Sequence, residues 1–174
     1  DQIPKYFVGK KPIIFNSSVM GGLSNYWGAT LLPFTENELE KWPINLSDLS
    51  KYYKKVSEIV GISGMRDGLN EYFIDDYVSN PPLKIPKQLL KLNEVIKNSS
   101  PDENYKIISG VNRCAVETNL ENKNGCLYCG ECMNGCVNNS IYSTYDGIKK
   151  IIQDPRVNFI KGNVLEVSEK MNVT

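Results

Sequence analysis

The chain has 174 residues, 41% of them hydrophobic, which suffices for one core of ordinary size or one core with a small appendage. Its 20 Lys and Arg balance 20 Asp and Glu, so nothing in the charge suggests a hold on nucleic acid or anionic lipid. No run approaches the roughly 20 apolar residues of a bilayer crossing, and the absence of histidine excludes an imidazole base or a histidine-bound metal supplied by these residues.

Taken in chain order, Tyr6-Phe7-Val8 and Ile13-Ile14-Phe15 read as short strands, followed by Gly21-Gly22-Leu23-Ser24-Asn25-Tyr26-Trp27-Gly28. Glycines and large aromatics so closely spaced imply a backbone that passes near another surface. The two aromatics face a ligand or, as is commoner beside a turn, fill a core. Thr35 and Glu38 have capping-box spacing and predict a short helix that Pro43 stops. The clearest helix runs from Leu49 to Val60, with apolar residues at three- and four-residue spacing, Ser47 or Asp48 as its cap and Gly61 as its end. Periodicity is lost from Gly61 to Pro82. Pro86 then opens a second helix with a stripe of Leu89, Leu90, Leu92, Val95 and Ile96, ended by 98–102. Residues 105–111 predict a strand, 142–153 a helix capped by Ser143 or Thr144, and 157–160 and 164–167 a pair of strands about a turn at Gly162. There is no internal repeat. The elements belong to a mixed protein, α/β to α+β, without a full set of parallel βαβ units.

Four of the five cysteines fall in eleven residues: Cys126, Cys129, Cys132 and Cys136, spaced C-x2-C-x2-C-x3-C. This is the spacing with which bacterial ferredoxins bind iron–sulfur clusters, since short gaps let successive thiolates converge on one polynuclear centre. Three readings stay open: a 4Fe-4S or 3Fe-4S cluster, a zinc site cramped by the short spacing, or free thiols and local disulfides in a packed loop. Val137 stands where a ferredoxin has proline, and Cys114 is the one spare thiol. The odd, clustered count fits a reducing, cytoplasmic compartment. The start at Asp1, without methionine or a signal pattern, suggests a chain processed or cut from a longer one.

The glycine-rich and cysteine-rich segments together resemble an interior portion of the glucose-methanol-choline oxidoreductases, FAD-dependent enzymes that oxidise alcohols and sugars. Gly21-Gly22-Leu23-Ser24-Asn25 is similar to that family's Gly-Gly-x-Ser-x-x-Asn neighbourhood, with the asparagine one residue early. Arg113-Cys-Ala-Val116 resembles the stretch before the cysteine loop, and Cys126 to Cys136 with Ser143-Thr144 resembles the loop and the helix behind it. The continuation Val137-Asn138-Asn139-Ser140 departs from the Pro-x-Gly-Ala-Lys of many relatives. Residues 157–164 resemble the strand pair in which a valine, here Val164, approaches adenine.

The resemblance implies an interior fragment of an FAD-binding α/β fold with helical and cysteine-rich insertions. It divides the chain into a flavin-proximal glycine-rich segment and helix (1–60), a connecting segment (61–112), the cysteine-rich loop (113–140) and a helix and strand pair (141–174). It further implies that Gly21, Gly22, Ser24, Asn25 and Val164 contact FAD and that the intact parent passes hydride from substrate carbon to flavin N5. The pyrophosphate-binding Gly-x-Gly-x-x-Gly and the catalytic histidine are not among these residues, so no catalytic residue is expected in this segment, which is expected to be inactive alone. The implied partners are the remainder of the polypeptide, a small alcohol or sugar, and an electron acceptor. The reading of a different class is a small iron–sulfur electron-transfer or metal-stabilised interaction module.

Overall fold

Residues 113–117 form the centre of the molecule, where the backbones of residues 29–31, 63, 126 and 140–142 reach them. The computed structural model describes residues 17–71, 77–99, 107–162 and 164. On one side Ala115 N–H donates to Ala29 O (2.8 Å) and Leu31 N–H to Arg113 O (2.9 Å). On another, Ser63 and Cys114 exchange both backbone hydrogen bonds, at 2.7 and 3.1 Å. The chain beyond the cysteine loop returns to the same segment, with Tyr142 N–H bonded to Ala115 O (2.9 Å) and Glu117 N–H to Ser140 O (2.8 Å). Ala29, Cys114, Ala115 and Val116 are buried there, with Trp27, Val60, Leu83, Ile141 and Tyr142 packed around them. Alanine at 29 and 115, both with 0% exposure, leaves room for this convergence of main chains.

The helices begin where local chemistry supplies a cap. In α1 (Glu36–Leu39) the Glu38 carboxylate accepts the Thr35 N–H at 2.8 Å, the expected capping box. This helix ends at Leu39, before Pro43 is reached. Helix α2 (Leu46–Val60) starts earlier than its apolar period suggests, because Asn45 and Asp48 form a second capping box, with Asn45 N–H to Asp48 Oδ2 at 3.0 Å. Asn45 therefore takes the role expected of Ser47 or Asp48. Gly61, at φ 67°, ends the helix as expected.

A short parallel pair follows, β1 (Ile62–Ser63) with β2 (Val78–Asn80), in a stretch without sequence periodicity. The chain is thus a mixed helix-and-sheet protein, consistent at that level with α/β or α+β. Helix α3 (Lys87–Asn98) has Pro86 at its N-cap, and α4 (Thr144–Ile151) is capped by Ser143, whose Oγ accepts the Tyr145 N–H at 3.2 Å. Residues 107–111 and 157–160 are irregular rather than strands. The expected strands at 6–8 and 13–15, and all of that at 164–167 except the irregular Val164, lie outside the described residues.

A buried ion pair ties the central segment to the loop after β1. Arg113, 4% exposed, donates to Asp67 Oδ1 at 3.0 Å, while the same carboxylate accepts the Val111 and Leu69 N–H groups. Among the described residues the largest side chain buried almost completely is Ser63. The apolar stripes of α2 and α3 are mostly open, with Ile59 70%, Leu89 54% and Val95 59% exposed, so the expected amphipathic faces exist but do not form the core.

Candidate functional site

The glycine-rich turn, the cysteine loop and the N-terminus of α4 meet around one polar cavity of about 340 Å³. Gly21 enters the turn with φ 94°, and Gly22–Asn25 forms a single 3-10 turn. A Cβ on Gly21 would lie 2.8 Å from Asn25 Oδ1 and 3.1 Å from Tyr145 Cβ, so glycine is required both for the left-handed backbone and for the close approach of α4. A Cβ on Gly22 would meet no atom within 4 Å, which leaves that side of the turn open.

The polar side chains of the turn serve mainly to fasten α4. Ser24 Oγ accepts the Thr144 N–H at 3.0 Å, and Thr144 Oγ1 donates to Gly21 O at 3.1 Å. Ser143 Oγ donates to Asn25 Oδ1 at 2.6 Å, while Asn25 Nδ2 donates to Met20 O at 2.9 Å. One orphan N–H of the helix end is therefore satisfied by a serine about 120 residues away in sequence. Trp27 turns inward and donates from Nε1 to Tyr142 O at 2.9 Å, whereas Tyr26 lines the cavity. Ser24 and Asn25 also line it, together with Cys132, Cys136 and Asp146, whereas Gly21 and Gly22 do not. Val164 does not line it and is 83% exposed.

The cysteine loop owes its shape to left-handed residues and two clasps. Tyr128, Gly130, Gly135 and Asn139 have φ of 57°, 82°, 98° and 51°. A Cβ on the buried Gly125 would lie 2.5 Å from Asn119 O and 2.9 Å from Leu120 Cα, so the loop enters against another backbone. Asn138 Nδ2 closes its base by donating to Gly125 O at 2.7 Å. Tyr128 is held by Lys84, whose backbone N–H donates to the phenol oxygen at 3.3 Å and whose Nζ stands 4.9 Å from the ring centroid.

All four loop cysteines line a second, mostly apolar cavity of about 320 Å³, and Cys132 and Cys136 border both cavities. Cys129 and Cys132 are exposed, Cys126 and Cys136 half-buried, and all are free thiols. Among the described residues no three Cys, Asp or Glu stand in position to hold one metal ion. The four sulfurs thus share a wall without forming a ligand set. Burial pushes the Cys136 thiol up, but backbone hydrogen bonds from Ile141, Ser140 and Asn138 and the Ser140 side chain outweigh it, so the net shift is downward. The Ser140 N–H lies 3.2 Å from its sulfur. Burial raises the Cys114 thiol, opposed by the Thr30 side chain and reinforced by Cys132.

No protein-family model and no curated protein matches the chain.

The arrangement therefore carries the chemistry of its own residues. Open backbone at Gly22 offers a planar or anionic group close approach, while the side chains of Ser24 and Asn25 are committed to α4. The polar cavity lies at the lower end of the roughly 300–1,000 Å³ of small-molecule sites. Asp67 and Arg113, whose pair ties the central segment to the loop after β1, were not singled out as a pair by sequence. Residues 46 apart carry no local signal that they meet.

Proposed function

We propose that this chain is a portion of an FAD-dependent oxidoreductase that acts on the CH–OH group of a small alcohol or sugar, within an FAD-binding α/β fold of the glucose-methanol-choline type. The observation that carries the reading is the meeting of the glycine-rich turn and the cysteine loop around one cavity, two segments about a hundred residues apart that the resemblance assigns to a common redox compartment. FAD, when bound, would supply the hydride acceptor. Gly22 would give it backbone access, whereas Gly21, expected to contact FAD as well, is buried against Asn25 and α4; Ser24 and Asn25 would act one step removed, by holding α4 against the turn. The proton acceptor would come from other sequence, because the chain has no histidine. The test is to isolate the polypeptide that carries this chain from its own cells with an antibody to α2. Release of FAD on denaturation and alcohol-driven dye reduction are expected. A flavin-free polypeptide inert towards alcohols overturns the reading.

The second reading, an iron–sulfur or metal-stabilised module, is favoured by one observation: the four loop thiols share one cavity. Their donor chemistry suits iron or zinc, but the positions they occupy do not bring three together, so binding would require the loop to move. Oxygen-free purification followed by iron and zinc analysis and a visible spectrum decides it. Stoichiometric metal supports this reading; colourless, metal-free protein sinks it.

A further inference from the structure

We propose that Asn134–Gly135 is a site of spontaneous deamidation, which places a new carboxylate beside that of Glu131 on the cysteine loop. The proposal is independent of the flavin reading. Two loop cysteines are each preceded by Asn-Gly: Asn124-Gly125 before Cys126, and Asn134-Gly135 before Cys136. In such a pair the glycine nitrogen can reach the asparagine amide carbon, because no side chain on the second residue hinders the approach. Local sequence treats the two pairs alike, and the fold separates them. Gly125 is buried, its N–H donates to Asn122 O at 3.0 Å, and it packs against the main chain of Asn119 and Leu120. Its nitrogen cannot turn towards the Asn124 side chain without breaking that bond and withdrawing the loop entrance. Gly135 is half-buried at φ 98°, and its N–H makes no hydrogen bond among the described residues. The nearest atom to a Cβ added there is Asn25 O, at 3.8 Å, so the backbone has room to rotate. Asn134 itself is exposed at the end of the 3-10 turn Cys132–Asn134.

The Gly135 nitrogen attacks Asn134 Cγ. The Cγ–Nδ2 bond breaks, ammonia leaves with the proton that Gly135 gave up, and a cyclic imide joins the two residues. Water then opens the imide, its hydroxyl going to carbon and its proton returning to nitrogen. Opening at Cγ leaves aspartate; opening at the main-chain carbonyl leaves isoaspartate, with the chain running through the former side chain. No electrons are exchanged. The consequence follows from one bond. Asn134 Nδ2 donates to Glu131 Oε2 at 2.6 Å across the 3-10 turn, alongside the backbone bond from Asn134 N–H to Glu131 O at 3.0 Å. That side-chain bond is on the surface, so its release before the attack disturbs no packing. The product has an oxygen where the donor stood. An attraction becomes a like-charge contact, and the turn that carries Cys132 loses a clasp.

The test incubates the folded, reduced full chain in heavy-oxygen water at slightly alkaline pH, beside a sample unfolded in urea. Thiols are then capped with a maleimide and the chain is cleaved after Glu131 at mildly acidic pH, which puts Asn124 and Asn134 on different peptides. Fragmentation of those peptides separates aspartate from isoaspartate. In the folded chain, conversion at Asn134 should be at least about tenfold faster than at Asn124, whose attack must first break a hydrogen bond and open a packed contact. Each product should carry one heavy oxygen, and isoaspartate should be among them. In urea the two rates should converge. Asn134→Asp, a stable stand-in for one product, should speed amide exchange at residue 134 roughly 2- to 10-fold. Conversion at Asn124 that equals or exceeds that at Asn134 in the folded chain overturns the proposal. So does a folded chain inert at Asn134 while the unfolded chain converts, or a rate ratio that survives urea. Unchanged exchange in Asn134→Asp refutes the loss of the clasp.

Discussion

Substitution of Gly125 by alanine tests whether the cysteine loop is held by backbone contact at its entrance. The added Cβ would lie 2.5 Å from Asn119 O, 2.9 Å from Leu120 Cα and 3.1 Å from Asn119 C. All three are main-chain atoms, so no flexible side chain can swing away. The same entrance is fixed by Gly125 N–H to Asn122 O at 3.0 Å and Cys126 N–H to Glu117 O at 2.9 Å, bonds that must lengthen if the loop withdraws. Overpacking of this kind costs about 1–3 kcal/mol. Expressed as local opening, that range is roughly a 5- to 150-fold increase in exchange rate. Amide hydrogen exchange over residues 117–140 is the assay, with the Cys126 amide as its reporter. The expected pattern is faster exchange there, with little change at the α2 amides, whose hydrogen bonds lie within their own helix. Exchange at Cys126 that is unchanged in Gly125→Ala would refute the idea that contact with Asn119 and Leu120 shapes this loop.

Gly147→Ala should act in the opposite sense. It lies inside α4 with no atom within 4 Å of an added Cβ, so thermal melting should show a gain of about 1 kcal/mol from helix propensity alone. Ser24→Ala removes the oxygen that accepts the Thr144 N–H and should cost about 1 kcal/mol, read as loss of protection at the start of α4 and no comparable loss in α3. Cys136, with its thiol lowered, should reach half-maximal alkylation by iodoacetamide at a lower pH than Cys114, whose thiol is raised by burial. The linked stability has a definite sign: the Cys136 contribution is full above the ordinary thiol range and is lost as pH falls through its lowered folded value. Alkylation midpoints in the reverse order would show that the backbone donors around Cys136 do not govern its ionisation.

Local chemistry was legible wherever the deciding groups are neighbours in sequence. Thr35 with Glu38, Gly61 at the end of α2 and Ser143 before α4 each act within one turn of chain and sit where their residue types predict, while Pro86, expected in the first turn of α3, stands one residue earlier at its N-cap. Asn45 was the less obvious choice of cap because it precedes the first apolar residue of the period. The two-stranded sheet was not legible, since runs of two and three residues are too short to display alternation and pair through partners far along the chain.

Sequence by itself determined the amphipathic helices, the density and spacing of the thiols and the absence of an imidazole. These follow from residue identity and contacts a few residues apart. Tertiary structure alone decided that Ser24 caps α4, that Asp67 meets Arg113, that residues 113–117 receive four other backbones, and that two cysteines border both cavities. Each of those depends on chain segments brought together across tens of residues, where the balance of packing space and buried hydrogen bonds, rather than local preference, selects the partner.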